Sequence, residues 1–373
     1  MSAAGRASAN GRVGVGIIGA GVISTQYLTN LTTFADIEVL FIADLDTERA
    51  RERAEEFGVP GHGSVAELLA TAEVEVVLNL TLPSVHVEVG EQIVAAGKHI
   101  WSEKPLALDR ASGRALLQAA ETAGVRVACA PDTMLGASFQ TALRTASSGR
   151  IGDVLNALVL LQSPGPESWH PSPEFLFDVG AGPLFDIGPY YLTALVHLLG
   201  PVARVSATSS IARPTRVIGS GPKAGTEFDV NVPTHHAALI EFTGGGAAQA
   251  VFSFESSIRR TLLELTGTSG SMVVPDPNGF DKPTDVWELG AAEAEVIEAV
   301  GSRATRGIGV VELARAIRAG VPERASGELA YHVLDVMISI AEAAETRQAV
   351  ELASTAVVPP LLPEGWDPAA ATL

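Results

Sequence analysis

Between Val13 and Pro131 the chain alternates short apolar runs with helix-like segments, and that rhythm leaves few folds open. The runs "VGVGII", "IEVLFIAD", "VEVVLNLT", "GKHIWSE" and "VRVACA" are rich in Val and Ile and lack polar alternation. Strands buried on both faces of a parallel sheet have this character. Between them, "ERARERAEEFG" and "SVHVEVGEQIVAAGK" have helical spacing and end at or near Gly58 and Gly97, glycine being a frequent helix stop. Strand, helix, strand at this pace predicts a doubly wound α/β domain over residues 13–135. The opening "MSAAGRASANGR" has no apolar centre and reads as a disordered tail over residues 1–12, not a secretion signal.

From residue 136 the character changes. A helix candidate, "FQTALRTASSG", leads into "VLNALVLLQS", and a second helix follows around "YYLTALVHLLG". Val202 to Val300 is a series of strand-like pieces with turns between them. "HHAALIEFTGGGAAQAVFSFES" is a hairpin with Gly244 to Gly246 at its tip. Helix returns in "GVVELARAIRAG" and "GELAYHVLDVMISIAEAAETRQ", where Leu329, Val333, Val336, Ile340 and Ala344 share a face. Successive strands with short links predict an α+β domain over 136–373 with a mostly antiparallel sheet. Two domains suit 373 residues.

The formal net charge of −18 is scattered along the chain, which excludes nucleic acid and anionic membrane as natural partners, since both require a positive face. With 47% hydrophobic and 18% charged residues the composition is that of a soluble protein, and no apolar run reaches the roughly 18 residues of a membrane span. Cytoplasm is the expected compartment. The single cysteine, Cys129 in "VRVACA", cannot form an internal disulfide and reads as a small buried hydrophobe. His235 and His236 are adjacent on a strand and point to opposite faces, and His332 has no ligand-spaced partner, so no metal is expected.

"VGVGIIGAGVIS" carries a strand into Gly19-Ala20-Gly21-Val22-Ile23-Ser24. Gly19 permits a tight turn, and Gly21 lets backbone approach a pyrophosphate held at the next helix's N-terminus, with Val22 and Ile23 in its first turn. Ser24 stands where the G-x-G-x-x-G/A pattern has its third small residue. The second run ends in Asp44, placed to accept hydrogen bonds from the adenosine ribose hydroxyls and to repel a 2′-phosphate. Positions 45 and 46 hold no Lys or Arg to receive such a phosphate, so NAD is favoured over NADP.

Ligands of a doubly wound sheet sit beyond the carboxyl ends of its strands. Asn79 to His86, including Thr81, Pro83 and His86, and Glu103 to Pro105 are therefore expected near the nicotinamide end of the cofactor. Pro105 biases Lys104 toward an extended backbone, and a partly buried ammonium beside oxidised nicotinamide has its pKa lowered, as suits a proton shuttle. In "GAGPLFDIGPYYLTALVHLLGP", Asp186 and Tyr190 are four residues apart, while Pro189 favours a helix first turn with Asp186 just before it. Asp186 could equally be a helix cap and Tyr190 a core aromatic. Trp169 and His170, in the Pro-rich "SPGPESWHPSPEF", are either sugar-contacting groups or part of a rigid surface loop.

Together "VGIIGAGVIS", "SVHVEVGEQIVAAGKHIWSEKPLALD" and "GAGPLFDIGPYYLTALVHLLGP" resemble the Gfo/Idh/MocA family of glucose–fructose oxidoreductase and inositol dehydrogenase. The resemblance spans nearly the whole chain after the tail, and its specific part is Glu103-Lys104-Pro105. It implies a Rossmann domain followed by an α/β domain with a large open sheet, used for homo-oligomer contacts in a dimer or tetramer. It also implies NAD(P)-linked oxidation of a hydroxyl on a sugar, glycoside or inositol-like polyol. The family's E-K-P lysine falls on Lys104, and the aspartate of its D-x-G-x-H motif falls on Asp186. The motif's histidine would fall on position 190, which is tyrosine here and needs a nearby cation to act as a base. The catalytic set is then Lys104, Asp186 and Tyr190, with Asp186 orienting the lysine and the substrate hydroxyls. Two alternatives remain on the same scaffold: an NAD-dependent glycoside hydrolase working by transient oxidation and elimination, and a non-catalytic nucleotide-responsive protein.

Overall fold

Val13, Val15 and Ile17 are fully buried, and their neighbours Gly14, Gly16 and Ile18 are buried too, so β1 (Val13–Ile18) has protein on both faces. The computed structural model describes residues 11–373; residues 1–10 of the expected tail lie outside the described residues. The chain divides into two compact units. One holds the residues up to Ala137 together with Gly301–Tyr331 and Leu362–Leu373, and the other holds Ser138–Val300 and His332–Leu361. The sequence reading assigns everything after residue 135 to the second domain, so these two returning segments are the point of difference.

In the first unit the chain runs β1, α1 (Val22–Leu31), β2 (Ile37–Ala43), α2 (Thr47–Phe57), β3 (Gly61–Gly63) and α3 (Val65–Ala70). It continues through β4 (Val76–Asn79), α4 (His86–Ala95), β5 (His99–Ser102), α5 (Arg110–Ala123) and β6 (Val127–Cys129). The six strands are all parallel and lie in the order β3-β2-β1-β4-β5-β6. This is the doubly wound Rossmann arrangement read from the sequence. Gly58 and Gly124 close α2 and α5 at φ 68° and 69°, a left-handed stop that glycine adopts without penalty. Ile93, Ile100 and Leu116 of α4, β5 and α5 are at most 1% exposed within one core cluster.

The returning segments complete this unit. Within α9 (Ile308–Ala319), Gly309 lies flat on the ring of Trp101, where a Cβ would come within 2.0 Å. Asp36, just before β2, is 1% exposed, and both returning segments supply its donors. Its Oδ1 accepts from the backbone N–H groups of Thr372 (2.7 Å) and Leu373 (3.0 Å). Its Oδ2 accepts from the Thr372 hydroxyl (2.6 Å) and from Arg315 Nε (2.7 Å).

The second unit contains α6 (Ala137–Ser147), β7 (Val154–Gln162), α7 (Gly182–Asp186), α8 (Gly188–Leu199), β8 (Val202–Ser210) and the small ribbon β9 (Thr215–Val217) with β10 (Glu227–Asp229). The strands β11 (His235–Phe242), β12 (Ala247–Ser253), β13 (Arg260–Gly267), β14 (Gly270–Val274), β15 (Thr284–Glu288) and β16 (Glu295–Ile297) follow. The helix α10 (Gly327–Thr346) and β17 (Val350–Glu351) come after α9. Nine strands form one sheet in the order β16-β15-β14-β13-β7-β12-β11-β8-β17, antiparallel throughout except for β7 with β12. Ala238, Ala250, Val159, Leu263 and Val274 face one another in register across five strands, and all are buried. On the opposite face Leu239 pairs with Gln249, which pairs with Leu158, and Leu239 is 54% exposed. The expected hairpin forms between β11 and β12, with Gly244 to Gly246 in its turn. No helix among the described residues is long and apolar enough to cross a membrane.

His236 lies on the covered face of β11, 4% exposed, while His235 on the other face has Nδ1 3.0 Å from Ser253 Oγ. His332 is held by a backbone amide and a hydroxyl. Its Nε2 accepts from the Val202 N–H at 3.0 Å, so the proton of the neutral ring sits on Nδ1 and is donated to Ser354 Oγ at 2.8 Å. Cys129 is buried, and burial pushes its thiol pKa up, as befits a packing residue.

Candidate active site

The glycine turn after β1 has the geometry a dinucleotide needs. Gly19 stands at φ 108°, and a Cβ there would fall 2.6 Å from the Leu80 carbonyl oxygen, so no other residue fits. A Cβ on Gly21 would meet nothing within 4 Å, which leaves open space above the start of α1. That helix begins at Gly21 with no side-chain cap and no acid in its first turn. Its first amides, at Val22 and Ile23, carry the positive helix end toward the open space. Ser24 is fully buried with its hydroxyl donated to the Gly21 carbonyl at 2.7 Å, so a serine serves as the third small residue.

Asp44 follows β2 and is tied to this turn. Its Oδ2 accepts from the Ala20 N–H at 2.7 Å, and its Oδ1 accepts from the Asp46 N–H at 3.0 Å. Arg49, in the first turn of α2, grips the same carboxylate through Nη2 at 2.6 Å and Nε at 3.3 Å. Burial works against the Asp44 charge, but the bonds from Arg49, Ala20 and Asp46 outweigh it and hold the carboxyl below its ordinary pKa. Arg49 escapes a sequence search limited to positions 45 and 46, because it returns to the strand end from the following helix.

Beyond β4 and β5 the expected nicotinamide residues form one hydrogen-bonded turn. Asn79 Oδ1 accepts from the Thr81 hydroxyl at 2.6 Å, and Asn79 Nδ2 donates to the His86 carbonyl at 2.8 Å. Pro83 opens the short 3-10 turn that leads into α4. His86 is 1% exposed, with Nδ1 2.8 Å from the Pro105 carbonyl oxygen and Nε2 3.0 Å from that of Thr81. Both acceptors are carbonyls, so a neutral ring donates to one of them and an imidazolium to both. Burial lowers the imidazole pKa against the pull of those carbonyls. The ring of His86 is thus engaged by the protein's own backbone.

Glu103 is 8% exposed and holds the base of the lysine turn. Its Oε2 accepts from the Lys104 N–H at 3.1 Å, and its Oε1 accepts from the Tyr27 hydroxyl at 2.7 Å. Trp101 Nε1 donates to that same hydroxyl at 3.2 Å. Lys104 is half-buried, directly before the carbonyl of Pro105 that faces His86. Deeper in the unit Asp132, fully buried, accepts from the N–H groups of Gly307 (2.7 Å) and Gly309 (3.4 Å), and burial pushes its carboxyl up to about 6. Burial first, then the Glu103 charge, raises the Tyr27 hydroxyl well above its usual pKa. This web of Tyr27, Trp101 and Asp132 gave no motif in the sequence.

In the second unit Asp186 is the last residue of α7, and Tyr190 lies in the first turn of α8. The helix α8 starts after Ile187, which supplies no side-chain cap. Pro189 sits at the helix start, where its missing N–H costs nothing. Asp186 is half-buried and Tyr190 is 5% exposed. Trp169 is 60% exposed and stacks edge-on against His170, with ring centroids 5.5 Å apart. His170 Nδ1 accepts from the Ser172 N–H at 3.1 Å, so the neutral ring carries its proton on Nε2.

That loop is anchored by Arg216 of β9, whose guanidinium is 1% exposed. It donates to the Pro164 carbonyl (3.0 Å), to Glu167, to the Phe254 carbonyl (3.0 Å) and to Glu255 Oε1 (2.7 Å). It also lies over the Phe177 ring, 4.9 Å from its centroid. Nothing in the stretch "ARPTR" announces a buried cation.

A family model described as an oxidoreductase family with an NAD-binding Rossmann fold matches residues 13–130, and the family's C-terminal model matches residues 139–273. The chain belongs to the Gfo/Idh/MocA oxidoreductase family. Its relatives include a D-xylose 1-dehydrogenase (NADP(+)) of Haloferax volcanii, 26% identical over 90% of this chain and 99% of that one. A 1,5-anhydro-D-fructose reductase of Ensifer adhaerens is 26% identical over 90% of this chain and 98% of that one. Among solved structures, levoglucosan dehydrogenase superposes with a TM-score of 0.80 at 21% identity, covering 92% of this chain and 100% of that one. That likeness shows the Gfo/Idh/MocA fold. The residues of the first unit fit a dinucleotide: an obligatory glycine at 19, open space at 21, and a buried carboxylate at 44.

Proposed function

We propose that this family member transfers a hydride between NAD and a secondary hydroxyl of a sugar, glycoside or inositol-like polyol. The observation that carries the reading is the half-buried Lys104, whose backbone is fixed by the buried Glu103 carboxylate at the carboxyl end of β5. Sugar-directed names among relatives that align along nearly their whole length support the substrate class.

When bound, NAD supplies the hydride acceptor. Gly21 and the first amides of α1 hold the pyrophosphate, Asp44 takes the adenosine ribose, and Thr81 and Pro83 line the nicotinamide end. Glu103, engaged by Tyr27 and by the Lys104 amide, keeps the lysine in position. The neutral amine of Lys104 takes the hydroxyl proton as the hydride leaves, and the ammonium so formed returns it in the reverse direction, a role that its half-burial suits. Asp186 binds and orients substrate hydroxyls, with Tyr190 beside it at the start of α8 in place of the family histidine. Trp169 offers an exposed ring face to a sugar, and His170 offers the Nε2–H of its neutral form. The enzyme works in the cytoplasm as a homo-oligomer, its copies covering the Leu239 and Leu158 face of the nine-stranded sheet.

The test is absorbance at the reduced-nicotinamide band with purified protein, NAD, and a panel of sugars, glycosides and inositols. Net reduction with at least one of them, lost in Lys104→Ala, is expected. Cofactor binding without net reduction, accompanied by cleaved glycoside, would replace the dehydrogenase reading.

A further inference from the structure

The Asp44 carboxylate is bound by more of its own protein than a ribose ligand requires. A carboxylate has about four lone-pair sites. Ala20 N–H and Asp46 N–H take one on each oxygen, and Arg49 Nε and Nη2 take the other two. The two backbone donors are fixed by the glycine turn and the start of α2. The two guanidinium donors belong to a long side chain that is 51% exposed, against 7% for Asp44.

Arg49 also differs from its helix neighbours. Arg51 is held by Glu48 and Glu55, and Arg53 by Glu56, all within α2. Arg49 instead reaches back to the strand end.

Two consequences follow from this fork. Ribose hydroxyls that donate to Asp44 must take the positions Arg49 holds, so the arginine competes with NAD. A 2′-phosphate beside Asp44 would meet repulsion from the carboxylate alone, yet here a planar, permanently charged guanidinium stands within reach of the same place, and it binds phosphate in a bidentate manner. Turned outward, Arg49 leaves Asp44 still satisfied by two N–H groups.

We propose that Arg49 sets the cofactor selectivity of this enzyme: paired with Asp44 it restrains NAD, and turned outward it receives the 2′-phosphate, so that the chain takes NADP as well as NAD. The inference rests on the nicotinamide reading above but is independent of the sugar.

Calorimetric titration with NAD+, NADP+, 5′-AMP and 2′,5′-ADP separates the two readings, since no sugar is needed. The parent protein is expected to bind both dinucleotides. In Arg49→Gln the affinity for NADP+ and 2′,5′-ADP should fall roughly 10- to 100-fold, the range for a lost charge-assisted contact. NAD+ and 5′-AMP should bind as well as before or more tightly, which also certifies the fold of the variant. Arg49→Lys should keep part of the NADP+ affinity, and Arg51→Gln, an equal charge change on the same helix, should alter neither. An unchanged NAD+ to NADP+ ratio in Arg49→Gln overturns the selectivity role. A parent that binds NAD+ and fails to bind NADP+ overturns the inference and leaves the nicotinamide reading standing. A parent that binds neither overturns both.

Discussion

Nδ1 of His86 lies 2.8 Å from the carbonyl oxygen of Pro105, which joins the start of α4 to the turn that carries Lys104. The other ring nitrogen reaches the Thr81 carbonyl. His86 therefore acts as a brace between two loops, and His86→Phe should leave a buried carbonyl without its donor. We expect a stability loss of about 1–3 kcal/mol in chemical denaturation. In steady-state kinetics kcat should fall more than cofactor affinity. A loss of NAD affinity as large as the loss of kcat would mean that the ring acts on the cofactor directly.

Removing the Lys104 side chain leaves its backbone amide on Glu103, because that bond does not involve the ammonium. Lys104→Ala should therefore fold and bind NAD within a few-fold of the parent, while kcat drops by about 10²–10⁴, the usual worth of a positioned proton carrier. Single-turnover absorbance with saturating sugar measures this. Near-parental turnover would remove Lys104 from the chemistry.

Asp132 gives a pH dependence of defined sign. Its folded pKa of about 6 is above the ordinary 3.8, because burial penalises the anion. A raised carboxyl stabilises the fold fully below its unfolded pKa and loses that contribution as pH rises through the folded value. Asp132→Asn cannot ionise, so its stability relative to the parent should increase between pH 4 and 7, by on the order of 3 kcal/mol. Melts across that range would show parallel curves if Asp132 did not titrate.

Arg216 is a buried cation with two carboxylate partners, Glu167 and Glu255. Arg216→Ala should destabilise the second unit by about 3 kcal/mol, since it leaves Glu167 without its cation, while Glu255 keeps Arg213. Because the guanidinium also pins Pro164, the loop bearing Trp169 should loosen. Arg216→Lys, keeping charge without the fork, should recover part of the stability while KM for the sugar stays raised. A parental KM in Arg216→Lys would separate the loop from substrate binding.

How much of this was legible in the sequence follows from what each element buries. The runs at Val13–Ile18 and Val76–Leu78 are covered on both faces, so they had to be apolar throughout, and they announced a parallel sheet. The strand Gly61–Gly63 could not be seen that way. It is "GHG", and it exists because glycine tolerates close approach to Phe41, whose ring would lie 2.5 Å from a Cβ on Gly61. The Asp186 region reads as one helix end but is a junction of two short helices, with Pro189 opening the second. Arg49 and Arg216 were illegible for a different reason. Their roles depend on partners brought close by folding, Asp44 in one case and Glu255 in the other, and no local spacing encodes those contacts.

The four donors on Asp36 bear on the order in which the molecule can be made. Thr372 and Leu373 supply three of them, and they are made long after Asp36, more than 300 residues later in the sequence. The buried carboxylate beside β2 must therefore wait for Thr372 and Leu373 before it is satisfied, while Ser138–Val300, made in between, already contains most of the nine-stranded sheet. A fragment cut near residue 137 would expose the Asp36 carboxyl and the Trp101 ring together, and a nascent chain passes through that same state.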